Sequence, residues 1–187
     1  MDCCVGNKIM NRTLLSLFAL LVIGIAGLKV LRATQVDQGK PVPVTPMRPM
    51  IAGQRMPFMT GSGIWDQLRL VVRDRDLWVD VWKRIHRLDP YRGPYPEPPP
   101  LPEIDFSREM LIVAAMGRRP SSAYGIIIDG AYAYERNYRL EVFVRSIENQ
   151  KGCGALTIMT APLDIVRLPR TDRTVLFRET EVVPECR

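Results

Sequence analysis

Residues 105–129, DFSREMLIVAAMGRRPSSAYGIIID, decide the fold. Two apolar runs, Met110–Met116 and Tyr124–Ala131, flank the short segment Gly-Arg-Arg-Pro-Ser-Ser-Ala-Tyr, and apolar runs of this length bounded by turn residues are strands. Gly117 supplies backbone conformations that other residues resist. Pro120 fixes its own φ and pushes Arg119 towards an extended conformation, and Tyr124 opens the next strand with an amphipathic ring. The block is expected to be a recognition hairpin whose partner-binding residues are Gly117, Arg118, Arg119, Pro120, Ser121 and Tyr124. Arginine and tyrosine give large contact area and several hydrogen bonds, and a short stiff turn loses little entropy on docking.

Downstream, β-type runs continue at Tyr138–Arg145, Ala155–Thr160, Asp164–Leu168 and Val175–Phe177. Leu140, Val142 and Val144 alternate with Arg139, Glu141 and Arg145, which predicts a half-buried antiparallel strand with one wet face. Upstream, Ile64–Val72 alternates as a first strand. The period then changes: after Asp74-Arg75-Asp76, the residues Leu77, Trp78, Val81, Trp82, Ile85 and Leu88 recur every three or four positions, predicting an amphipathic helix over 75–88. Trp78 and Trp82 lie one turn apart and are expected to pack on the sheet. The proline-rich segment 90–102 must leave the helix and cross the surface unpaired, because its prolines lack backbone donors. The fold expected is mainly β (α+β): an antiparallel β-sandwich or rolled sheet with one packed amphipathic helix, behind an N-terminal signal or anchor segment.

That N-terminal segment is the run Leu14–Leu28, flanked by Lys8 and Arg12 on one side and by Lys29 and Arg32 on the other. At about 15 residues it is shorter than a comfortable membrane span and fits an export signal, with small residues for cleavage near Ala26. Extended to Leu31 it serves equally as a signal anchor over residues 14–31. Met1 and Met10 are both plausible starts. Residues 34–63 hold Pro41, Pro43, Pro46, Pro49 and Pro57 with no apolar period, and are expected to be an extended tether between the signal (1–33) and a β domain (64–187). Met47, Met50, Met56 and Met59 within it read as adaptable apolar contacts of that tether and not as a soft-metal site.

The Asp105-Phe106-Ser107 lead-in, the strand after it, Gly117, Arg119, Pro120 and Tyr124 in the turn, and later Thr160, Pro162 and Val166, with a late Cys186, together resemble the C-terminal domain of PrcB-type protease-complex subunits. The resemblance covers about the last half of the chain. Where that pattern ends its turn with Gly-Gly-Tyr, this chain has Ser122-Ala123-Tyr124. It implies a β domain serving as a non-enzymatic module that binds and stabilises an extracytoplasmic protease. An inhibitor of the chagasin-like type and an envelope structural or interaction domain are the rival functions.

The residues themselves point to no catalytic chemistry. His86 is the one histidine, and on the polar side of the predicted helix it is expected to be solvated. There is no Cys-x-x-Cys metal pattern, no glycine-rich phosphate loop and no Gly-x-Ser-x-Gly elbow, so no catalytic residue, cofactor or metal is expected. Most of the +6 formal charge lies ahead of residue 64, leaving a nearly neutral domain without the basic face that nucleic acid requires. The expected partners are a secreted or envelope protease and, through an uncleaved N-terminal segment, the membrane. In an exported, oxidising setting Cys153 and Cys186 are expected to form a disulfide closing a loop of about 33 residues, worth about 3 to 4 kcal/mol.

Overall fold

Glu109–Met116 carries no polar residue after its first position, and a strand of that composition needs neighbours over both faces. The computed structural model supplies them; it describes residues 37–47, 60–87, 99–148 and 154–183, and its strands and helix all fall within the unit Gly39–Arg187. In chain order these are β1 (Lys40–Val42), β2 (Thr45–Pro46), β3 (Gln67–Val72), α1 (Arg75–Ile85), β4 (Glu109–Met116), β5 (Gly125–Tyr134), β6 (Arg139–Ile147), β7 (Leu163–Pro169) and β8 (Thr174–Val182). They form two four-stranded sheets, ordered β1-β5-β6-β8 and β2-β7-β4-β3.

Met110, Ile112 and Ala114 of β4 face the first sheet and meet Ile126 and Ile128 of β5 and Leu140, Val142 and Val144 of β6. The alternate residues Leu111, Val113 and Ala115 face the other way and are covered by α1 through Trp78, Val81, Trp82 and Ile85. The result is three layers: sheet, sheet, helix. Asp74 caps α1 by accepting a hydrogen bond from Leu77 N–H at 2.8 Å, as its position before the apolar period predicts. The tryptophans are buried, not displayed, and burial of each large apolar side chain contributes about 1.5–3 kcal/mol. Their indole N–H groups also donate to Pro102 O (3.1 Å, from Trp78) and Pro99 O (3.0 Å, from Trp82), which fastens the end of the proline-rich crossing to the helix.

Several sequence expectations are corrected. β4 and β5 do not pair as a hairpin; they belong to different sheets, because β4 already has β3 and β7 on its two edges. The segment between them is a crossover. Residues 155–160 form no strand, only an isolated bridge between Thr160 and Arg119. The expected first strand begins at Gln67, not Ile64, and the helix ends at Ile85. Part of the expected tether is built into the sandwich: β1 pairs with β5 and β2 with β7, so one passing segment edges both sheets. β8 runs parallel to β6 while the other pairings within the sheets are antiparallel. The outer face of β6 is drier than alternation suggests, since Glu141 is buried between Arg139 and Arg178.

His86 is likewise not a solvated helix residue. It is the C-cap of α1, half-buried, with its ring edge-on to Trp82 at 4.3 Å, and its Nε2 has no hydrogen-bond partner among the described residues. Desolvation draws its pKa below the ordinary histidine value. Next to it, Gly63 N–H donates to Ile85 O at 2.8 Å; a Cβ at position 63 would lie 2.4 Å from Arg84 O, so only glycine allows this approach.

Candidate partner-binding surface

The crossover from β4 to β5 turns at Gly117, whose φ of +73° lies in the left-handed region, and a Cβ there would sit 2.8 Å from Trp65 O. Glycine is thus required twice, by conformation and by space. Beyond it, Arg118 N–H donates to Trp65 O at 3.0 Å, and its exposed guanidinium lies 3.8 Å from the centre of the Trp65 ring. Arg119 is extended, as a residue before proline should be, and exchanges both backbone hydrogen bonds with Thr160 at 2.8 Å each.

The remaining predicted residues divide. Pro120 is exposed at the apex. Ser121 is buried and structural: its carbonyl accepts from Thr160 Oγ1 at 2.8 Å and its hydroxyl accepts from Ala123 N–H at 3.3 Å. Tyr124 is half-buried against the inter-sheet core, with Arg119 5.8 Å from its ring centre. Arg118, Arg119 and Pro120 therefore form the outward surface, with half-buried Tyr124 beside Arg119, whereas Gly117 is buried and shapes the turn without being part of that surface.

The structure adds a feature that the sequence concealed. Segment 156–159 exposes Leu156 (67 %), Ile158 (47 %) and Met159 (56 %) beside the crossover, and Trp65 is exposed to 36 %. This apolar ledge is fastened to the crossover: Ser122 N–H donates to Leu156 O and Leu156 N–H donates to the Ser122 hydroxyl, each at 3.0 Å. Ser122 stands where the resembled pattern has glycine, and the departure supplies the hydroxyl half of this fastening, the other half being a backbone bond. Periodicity mistook the segment for a strand because Leu156 and Ile158 alternate with polar Thr157.

Residues 110–169 match the family model described as PrcB C-terminal. The family resemblance read from the hairpin residues is borne out over this segment. The matched segment runs from the first core residue of β4 to the end of β7 and contains both the crossover and the ledge. Asp105–Ser107 lies just ahead of it; there the Asp105 carboxylate accepts from the Ser107 hydroxyl and backbone N–H, which holds its pKa below the usual carboxylate value. Comparison with curated proteins and with solved structures gave no match.

Among the described residues no group of three or more His, Cys, Asp or Glu is placed to hold a metal ion, and no helix is long and apolar enough to cross a membrane. The apolar run 14–31, Met50, Met56 and Met59, and the predicted disulfide partners Cys153 and Cys186 lie outside the described residues. Met47 is described and packs at the margin of the helix-side core, where its sulfur accepts from Arg167 Nε at 3.1 Å.

Proposed function

We propose that this protein is a non-enzymatic, exported or membrane-tethered module that binds and stabilises an extracytoplasmic protease. The PrcB C-terminal match makes a protease-complex subunit the coarse reading, and the braced surface around Arg118 supports the finer one. Its apolar side chains sit in water on a backbone held by at least four hydrogen bonds, so their exposure is not the result of a loose loop. A rigid surface of this kind loses little conformational entropy when a partner covers it.

The test pairs capture with protection. Arg118→Ala/Arg119→Ala in the full chain should leave the melting temperature almost unchanged, since neither guanidinium pairs with a carboxylate and each meets only a partly exposed ring, yet weaken co-purification of an envelope protease and shorten that protease's lifetime. Equal capture and equal protease lifetime for wild type and variant would remove this surface as the docking site. A saturable inhibition of the captured protease, with no lengthening of its lifetime, would replace stabilisation by the inhibitor reading.

A further inference from the structure

Every arginine on a strand faces a carboxylate: Arg69 meets Glu179, Arg139 and Arg178 meet Glu141, Arg145 meets Asp129, and Arg167 meets Glu109. The two crossover arginines do not. Among the described residues, Arg118 donates no side-chain hydrogen bond and Arg119 gives one only to its neighbour's carbonyl, Arg118 O, at 3.0 Å. Asp66, next to Trp65, forms an ion pair with neither. Residues 117–125 and 154–162 carry these two positive charges and no acid.

Stacking decides what such a guanidinium can still do. Arg118 holds its guanidinium carbon 3.8 Å from the centre of the Trp65 ring while its N–H donors make no hydrogen bond to a described residue, so they remain to grip a carboxylate, which a guanidinium does with two parallel hydrogen bonds. Beside it lie Leu156, Ile158 and Met159, apolar and wet.

Resting on the binding-module reading above, we propose that the surface accepts an acidic segment of its protein partner, whose apolar side chains cover the Leu156–Met159 ledge and whose carboxylates meet Arg118 and Arg119. An anionic lipid surface offers the same two chemistries, but the placement favours a protein. The N-terminal segment joins the domain at Lys40, which pairs with Ala133 near the end of β5, whereas the crossover feeds the start of β5 at Gly125. At ~3.3 Å per residue the two ends lie roughly 26 Å apart along the strand. The ledge is thus carried at the opposite end of β5 from Lys40, where the segment expected to lead to the membrane joins the strands.

Three probes distinguish the possibilities with the full chain: a soluble labelled peptide alternating leucine with glutamate, its counterpart alternating leucine with lysine, and phosphatidylcholine vesicles containing phosphatidylserine. The glutamate peptide should bind about tenfold or more tightly than the lysine peptide, weaken as salt rises, and change the emission of Trp65 in wild type but not in Trp65→Phe. Arg118→Glu/Arg119→Glu should reverse the preference, and Leu156→Ser/Ile158→Ser should weaken both peptides. Equal affinity for the two peptides, or glutamate-peptide binding that survives the charge reversal, overturns the proposal. Vesicle binding that is lost on charge reversal, without peptide binding, overturns it in favour of a lipid surface. If Arg118→Ala/Arg119→Ala weakens protease capture while Arg118→Glu/Arg119→Glu weakens it no further, the docking site stands and its acidic partner is wrong.

Discussion

At Gly117 a single residue holds the crossover, the Trp65 backbone and the end of β4 together. Valine there meets two penalties: a left-handed φ that costs an L-residue about 1–2 kcal/mol, and a Cβ 2.8 Å from Trp65 O that forces the backbone apart. Gly117→Val should lower stability by at least about 2 kcal/mol, read from the urea midpoint, and an unshifted midpoint would contradict the positive φ. Two other residues set the acid response. His86 has its pKa drawn below 6.5 by desolvation, so the unfolded chain takes up its proton first and stability declines as pH falls below 6.5. Glu141 is held below its ordinary 4.5, first by the Arg178 hydrogen bond and also by Arg139, so its contribution is present above 4.5 and is lost as pH falls through its lowered folded-state value. Acid titration of the urea midpoint should therefore show an early loss removed by His86→Phe and a later one reduced by Glu141→Gln. Asp105 and Glu135, whose pKa values are also lowered, add to the later loss.

Among the elements, α1 is the one whose start the sequence states most directly. The Asp74 side chain satisfies Leu77 N–H, and Asp74→Ala should cost about 1 kcal/mol without altering the surface around Arg118. A lowered melting temperature with unchanged partner capture is the expected pair of results; a loss of capture as well would mean that the helix layer communicates with the crossover. β5 shows how local and distant residues cooperate in one strand. Its register shifts between Ile128 and Gly130, leaving Asp129 outward to meet Arg145 at 2.7 Å, while Ile128 N–H turns to the buried Asp164 carboxylate of β7 at 2.8 Å. The bulge thereby lets the opposite sheet supply the hydrogen bond that the irregular ladder leaves open.

For the whole molecule, the segment 40–46 ties the sandwich together at one margin, and a bridge between the two late cysteines is expected at another. β1 and β2 edge one sheet each, and Val42 and Val44 pack against the inter-sheet core. A chain beginning at Thr60 should unfold at lower urea and aggregate more readily than one beginning at Asp37, because the edges of β5 and β7 are left open; equal midpoints and solubility would make the segment dispensable. The strand ends that lead to the cysteines are already neighbours, with Glu148 N–H donating to Val182 O at 2.9 Å, and unreduced peptide mapping of protein from its native compartment should find Cys153 joined to Cys186. Free thiols at both positions would remove the staple and weaken the expectation of export. What the sequence determined by itself was the identity of most long elements and the need for glycine at 117. Alternation in β6, the three-to-four spacing of α1, its Asp74 cap and the steric freedom of glycine all act over a few residues and are written in those residues. What only the tertiary structure decided was which strands share a sheet. β2 is two residues long, too short to carry a period, and β4 is apolar on both faces, so neither states its neighbours locally. Separation of β4 from β5 followed from β3 and β7 taking both edges of β4, a non-local choice set by burial of the whole core, and the exposure of Leu156, Ile158 and Met159 is likewise visible only in the folded chain.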